Sequence, residues 1–470
     1  MTDSTLAPDH GVSASETRSL ERGDDAPAIA AQAVSRRAML QAGLHAGALA
    51  AATLAGTQAA RAQQQAPAVA TGTVAGRPFR AFVRHGMTSS IEELRLREIK
   101  PRQVLVRSTA SCGCYTITRS VLGQQPVDTP MIPNHSGFGV VEAVGAEVRR
   151  VRVGDRVLVC GTPECGQCYQ CLHGNPEACN YLNSQLFNEP IADMADGSGV
   201  LQQAAIGGLS EIIVAMEEYC IPLFTDLPDE QLALLGDTLA AGLASTMTYG
   251  PVEGGSNVVI FGAGPIGLAA VQGARSRSAG QIIVIEPVAY RRDKALALGA
   301  TAVVDPNEDT DTLVERVREM CSAPTDRFDA GGRYDPGWRY GGADFVIEAS
   351  GGDLFPPAVE SGPDPTGLLA IRQAWDVTRG GGHLTLLGGG QQGEISFPTA
   401  QFCLSTRSIH GGQMGGMHPM RDAPRYVTMI ERGAIDAAAL ITATYPLEGV
   451  VEGFQKVADR TELGVVFTFG

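Results

Sequence analysis

The stretch NVVIFGAGPIGLAAVQGARSRSAGQIIVIEP, residues 257–287, narrows the fold of this chain more than any other feature. An apolar run of strand length meets a Gly-x-Gly-x-x-Gly turn, a helix-length segment follows, and a second apolar run closes the unit. The pattern predicts strand, tight turn, helix and parallel strand. Gly262 permits the turn, Gly264 lets the backbone approach a pyrophosphate, and Gly267 lets the helix pack on the strand. Pro265 and Ile266 sit inside the motif at the helix start, where free N–H groups and the helix dipole favour phosphate charge. Taken alone the motif is weak, and Glu286 strengthens it. It ends the second apolar run nineteen positions after Gly267, where an acid accepts both ribose hydroxyls of NAD and repels the added phosphate of NADP. Arg291 and Arg292 lie close behind and soften that exclusion. The expectation is a dinucleotide site that prefers NAD.

The alternation continues downstream. Strand candidates at TAVVD, DFVIEAS and HLTLLGG are separated by the helical segments DTLVERVREMC and AIRQAWDVTR. Repetition of this kind predicts an α/β fold with a doubly wound parallel sheet. Before it, from Gly76 to about Ser245, short runs such as RQVLVRSTAS, GFGVVEAVG and GDRVLVCG are bounded by Gly, Pro and Asp. They predict a separate β-rich domain, and 470 residues with 44% hydrophobic content suffice for two cores. The tail from about Gly411 offers a helix, DAPRYVTMIERG, and a closing strand, GVVFTF. Residues 322–343 and 352–368 are rich in Gly, Pro and Asp and are expected to be surface loops inserted in the sheet domain. Tyr334, Trp338 and Tyr340 leave the first of them room for a partner or subunit contact.

Four cysteines crowd into PECGQCYQCLHGNPEAC, where Cys165, Cys168, Cys171 and Cys179 follow C-x2-C-x2-C-x7-C. Two readings are open: a metal held by four thiolates, or two disulfides in an oxidising compartment. The N-terminus bears on the choice. SRRAMLQAGLHAGALAAATLAG begins with Arg36 and Arg37, runs through small apolar residues, and reaches Ala60-Arg61-Ala62, an A-x-A cleavage pattern. Residues 1–62 are expected to be an export signal of the twin-arginine type, which carries folded proteins into a periplasm. A chain folded in a reducing cytoplasm could load a metal before leaving it. Residues 1–62 hold five Lys+Arg and six Asp+Glu, so the remainder has 31 against 45, a net of −14. Nucleic acid and anionic membranes call for basic patches and are not expected as partners. No apolar run reaches the roughly 20 residues of a membrane span.

From Arg77 to the C-terminus the chain resembles the zinc-containing alcohol dehydrogenases of the medium-chain dehydrogenase/reductase family. The landmarks are ASCGCYT, HSGFGVVEAVGAEVRRVRVGDRV, the four-cysteine loop, GDTLAAGLAS, VVIFGAGPIG and VVFTF. The resemblance implies a GroES-like catalytic domain over residues 63–238, with a structural zinc lobe at 160–180. A Rossmann NAD-binding domain would follow at 239–411, and residues 412–470 would return to the catalytic domain. It implies that Cys165, Cys168, Cys171 and Cys179 hold a structural zinc, a closed tetrahedral shell without chemistry. It places a second, catalytic zinc on Cys114, His135 and Asp237, with one position open to substrate and with Cys112 as a competitor for the first ligand. It also implies a homo-oligomer, dimer or tetramer.

The activity so implied is hydride transfer between an alcohol or aldehyde and NAD. Zinc would polarise the substrate oxygen, and Thr116 would accept the hydroxyl proton. Departures from the family pattern are visible. Ser136 stands where a movable glutamate ligand is common. Ile117 stands where an acid orients the ligand histidine, a loss that weakens metal affinity. Tyr115 and Gly464 stand where arginines clamp the pyrophosphate, and Arg119 replaces the relay histidine. Two alternatives follow if the weakened shell holds no metal: a zinc-free NAD(P)H-dependent quinone or enone reductase, or a non-catalytic exported dinucleotide-binding protein. An exported enzyme without a pool of free NAD is expected to keep its cofactor bound and to pass electrons to a second substrate or an external acceptor.

Overall fold

The computed structural model describes residues 74–181, 189–308, 311–321, 341–351, 368–388 and 394–470. Arg36, Arg37, the cleavage pattern at 60–62, and Tyr334, Trp338 and Tyr340 lie outside them. Ala68–Gly470 form one compact unit.

The segment singled out first folds as its pattern dictates. Strand Asn257–Phe261 leads into helix Pro265–Ser276 and strand Gln281–Ile285, and the two strands pair in parallel. Pro265 opens the helix, where its missing N–H is no loss. Gly262 takes φ +89°, and a Cβ on Gly267 would sit 1.9 Å from the Gly262 carbonyl oxygen. The turn therefore closes only with glycine at both positions.

Among the described residues this unit seeds a six-stranded parallel sheet. Its order is Ala302–Val304, Gln281–Ile285, Asn257–Phe261, Ala343–Glu348, Thr378–Leu386 and Ser408–Gly411. Successive residues of the central strands enter two different cores. Val258 and Ile260 pack on one face with Leu268 and Val271, whereas Val259 and Phe261 pack on the other with Val317 and Trp375. A sheet buried on both sides carries continuous apolar runs, which is why these strands were legible without alternation.

Among its described residues the β-rich half contains a closed five-stranded barrel and a seven-stranded sheet. At the centre of the latter, Gln103–Cys112 pairs with Gly137–Val144 and Ile212–Met216. The C-terminal strand Val465–Thr468 returns to pair antiparallel with the same strand, with Val466 opposite Cys112. Helix Thr238–Ser245, buried at every residue, leads out of this half and packs on helix Pro265–Ser276. Both inserted stretches end sooner than expected. Ala343 already opens a strand paired to Thr378, and Leu368 opens the helix Leu368–Val377, because apolar residues there reach the sheet core.

Candidate active site and metal centres

A cleft of about 400 Å³ is lined from the β-rich half by Cys114, Tyr115 and Thr116 and from the sheet half by Gly262, Gly264, Pro265, Ile266, Glu286 and Arg291. It lies outside the carboxyl ends of the strands at the point where strand order reverses, the place where doubly wound sheets take ligands.

At one end of the cleft three distant segments converge. Cys114 follows the central strand, His135 precedes strand Gly137–Val144, and Asp237 precedes helix Thr238–Ser245. One ligand atom from each lies within 4.8 Å of the others. Cys112 is not among them. It lies in the strand with its sulfur 3.4 Å from Ser136 Oγ, and burial, with the Asp237 charge, pushes its thiol up to about 12. Asp237 makes no capping hydrogen bond to the helix it precedes, and its buried Oδ2 has no partner. An unpaired buried carboxylate oxygen is costly. Burial and the same carboxylate hold the Cys114 thiol well above its usual range. A divalent cation would reverse both penalties, so the donor set fits zinc.

The segment that carries His135 is fixed by Asn134, which sequence reasoning overlooked. Asn134 is fully buried and adopts φ +81°, a left-handed conformation that asparagine tolerates better than most residues. Its Oδ1 accepts the His135 N–H at 2.9 Å, and its Nδ2 donates to Ser111 Oγ at 2.7 Å and to the Cys112 carbonyl at 2.8 Å. The visible signal was the Pro-Asn pair before the histidine. Thr116 Oγ1 stands 3.5 Å from His135 Nε2.

The four-cysteine lobe forms a second group in which each residue offers one sulfur within 4.8 Å of the others. The Cys165–Cys171 and Cys168–Cys179 sulfurs are each 3.9 Å apart, far beyond the roughly 2.05 Å of a disulfide. All ten cysteines of the chain are unpaired. Cys168 Sγ accepts N–H groups from Cys171 and Asn180. Burial alone would raise its thiol, but these donors bring it down to about 6. Glu177, within the lobe, accepts a hydrogen bond from Tyr249 of the sheet half. Glu164 Oε2 accepts the Met420 N–H at 3.0 Å.

In the dinucleotide region Gly264 has open space where a Cβ would stand. Glu286 is buried, and its carboxylate accepts the N–H of Ala263 at 2.6 Å and that of Val288 at 2.9 Å. Its remaining lone pairs are available to ribose hydroxyls. Arg292 is drawn away, with Nη1 2.9 Å from Asp305 and 2.7 Å from the carbonyls of Glu286 and Pro287. Arg291 remains on the cleft wall.

Two family models match this chain: "Alcohol dehydrogenase GroES-like domain" over residues 100–228 and "Zinc-binding dehydrogenase" over residues 265–362. The chain belongs to the zinc-type medium-chain dehydrogenases/reductases. Alcohol dehydrogenase B of Mycobacterium tuberculosis is 27% identical over 385 residues, 80% of this chain and 94% of the relative. The NDMA-dependent alcohol dehydrogenase of Amycolatopsis methanolica is 27% identical over 398 residues, 83% of this chain and 96% of the relative. Among solved structures, the alcohol dehydrogenase zinc-binding domain protein of Burkholderia ambifaria superposes with a TM-score of 0.71 at 25% identity, covering 84% of this chain and 99% of its own. The benzyl alcohol dehydrogenase of Acinetobacter calcoaceticus has the same fold, with a TM-score of 0.68 at 23% identity over 84% of this chain and all of its own.

The positions that depart from the family pattern have settings of their own in this chain. Ile117, in place of the orienting acid, is buried in an apolar cluster with Phe82, Leu209 and Phe454. Ser136 carries its carbonyl to Ser111 Oγ at 2.8 Å. Tyr115 lines the cleft as a neutral side chain. At Gly464 an arginine has no room, since a Cβ there would meet the Leu440 carbonyl oxygen at 2.0 Å. The family is an enzyme family, and this member is an alcohol dehydrogenase-like oxidoreductase. None of its described helices is long and apolar enough to cross a membrane.

Proposed function

We propose that this protein oxidises a small alcohol, or reduces the matching aldehyde, using zinc on Cys114, His135 and Asp237 and NAD in the adjoining cleft. The observation that carries the reading is the convergence of those three ligand atoms, one a buried carboxylate without a partner, beside Thr116 and a glycine turn in the same region. When bound, zinc would supply a Lewis acid at a substrate oxygen. NAD would supply the two-electron hydride acceptor that alcohol oxidation requires. The chain's own residues do the rest. Thr116 Oγ1 accepts the substrate hydroxyl's proton as it passes its own to solvent, to which it is exposed, and it is held toward the site by Cys114 and His135. Asn134 fixes the backbone that presents His135. Glu286 faces the cleft where ribose hydroxyls would lie and carries the NAD preference.

The four thiols of Cys165, Cys168, Cys171 and Cys179 are proposed to hold a second zinc that acts as a structural staple. Export through the signal at residues 1–62, a periplasmic location and assembly into a homo-oligomer belong to the same reading. So does retention of NAD through turnover. The Amycolatopsis relative is named for dependence on NDMA, and dependence on an added acceptor is what a non-exchanging nucleotide would produce. The zinc-free reductase and the non-catalytic binding protein both require a broken ligand set. Metal analysis of the exported form tests the reading directly. Two zinc ions per chain are expected, falling to one in Cys114→Ser with loss of alcohol oxidation. One zinc in the parent would return the field to the zinc-free rivals.

A further inference from the structure

Arg460 occupies a position that no landmark of the family pointed to. It follows helix Val450–Ala458 in the return segment, lines the cleft, and adopts φ +56°. The left-handed residue closes the helix, with the Arg460 N–H on the Val457 carbonyl at 3.2 Å and the Thr461 N–H on the Lys456 carbonyl at 3.1 Å, an end that glycine takes at least cost and that here carries an arginine. Its carbonyl accepts a hydrogen bond of 2.8 Å from the Tyr290 hydroxyl, across 170 positions of sequence. The same hydroxyl accepts Arg291 Nε at 3.1 Å, and the Arg291 guanidinium also lies over the Tyr290 ring, 5.8 Å from its centroid. One tyrosine, on the first turn of helix Ala289–Leu298, thus holds two arginines from the two halves of the molecule.

The charges in the cleft make this arrangement informative. Among the described residues that line it, the charged side chains are Glu286, Arg291 and Arg460. A dinucleotide brings a pyrophosphate with two negative charges, and Glu286 adds a third. The helix start at Gly264–Ile266 offers N–H groups and a partial positive charge only. Position 464 is sterically closed and Tyr115 is neutral. Full positive charge must therefore come from Arg291 and Arg460.

We propose that Arg460, carried with Arg291 on Tyr290, is the counter-charge for the dinucleotide pyrophosphate, and that bound nucleotide ties the return segment to the sheet half through it. This rests on the dinucleotide reading above. A clamp contributed by both halves also gives a physical reason for slow nucleotide release, since the nucleotide leaves only when the bracket opens.

The test is calorimetric titration of nucleotide-free protein with ADP-ribose, which carries the pyrophosphate, and with adenosine, which does not. Arg460→Gly suits the left-handed backbone and should melt no lower than the parent. In the parent, ADP-ribose is expected to bind far more tightly than adenosine, with an affinity that falls as salt rises. In Arg460→Gly, ADP-ribose should weaken roughly ten- to a hundredfold, as loss of a charge-assisted contact predicts, while adenosine binding is unchanged. Tyr290→Phe should lie between the two. Unchanged ADP-ribose affinity in Arg460→Gly, or equal weakening of both ligands, would overturn the clamp while leaving the dinucleotide site standing. A parent that binds ADP-ribose no better than adenosine would bring down the dinucleotide reading and the clamp together.

Discussion

The hydroxyl of Thr116 lies 3.0 Å from the sulfur of Cys114. That contact places the one candidate proton acceptor against a candidate metal ligand, so the two can be separated by experiment. Thr116→Val should lower kcat by roughly a hundredfold or more, the usual contribution of positioned proton transfer, with metal content unchanged. Thr116→Ser should keep most of the activity. If the valine variant turns over like the parent, the proton leaves by another route.

Asp237 carries the orphaned oxygen of the site. Asp237→Ala should remove about one zinc per chain and abolish alcohol oxidation, with the far-ultraviolet circular dichroism unchanged. Because the substitution also removes an unsatisfied buried carboxylate, metal-free Asp237→Ala should melt at least as high as metal-free parent. Full metal content in the variant would reject the ligand assignment.

The four-cysteine lobe predicts the opposite balance. Structural metal binding is folding free energy, so Cys168→Ser should lose a zinc and on the order of 4 kcal/mol of stability. The lobe meets the sheet half through Glu177 and Tyr249, so the damage should spread. Hydrogen exchange around residues 247–250 should quicken in the variant. Unaltered melting would end the staple reading.

Glu348 gives a pH dependence with a definite sign. It ends strand Ala343–Glu348 beside the cleft, is buried, and has an Oε2 without a partner. Burial holds its carboxyl above the usual range, with the Ser350 hydroxyl and N–H opposing. A folded value above the unfolded one means that its contribution to stability is present at low pH and is lost as pH rises through the folded value. Glu348→Gln should therefore stabilise the protein at pH 8 and change little near pH 4. Denaturant midpoints at the two pH values decide it, and a larger gain at the acid end would reverse the assignment.

How far each feature could be read depended on how local it was. The glycine turn and its flanking strands are contiguous, so Gly262, Gly264, Gly267 and the strand ending before Glu286 announced the parallel sheet. The lobe was equally local, since four sulfurs fall within fifteen residues. Cys114, His135 and Asp237 are far apart in the chain, and spacing alone carried no information about their meeting. The family resemblance supplied that register. The choice between Cys112 and Cys114 depended on which sulfur leaves the strand, a matter of tertiary placement. The bracket of Arg291, Tyr290 and Arg460 joins residues 170 positions apart and left no trace in local pattern. Asn134 showed only as a residue type, with nothing to say that its backbone would turn left-handed.

The ten unpaired cysteines carry a consequence for the protein's history. Once the chain is folded, six of them are buried, three are half-buried and Cys403 is exposed. While the chain is unfolded, every sulfur is open to every other, and any covalent pair formed then excludes this structure. Folding and oxidation are therefore competitors in time, and this molecule exists only where folding finishes first. It also keeps no covalent memory of its shape. Opened in air it would be trapped by its own thiols, so it should refold well under reductant with zinc present and poorly without them.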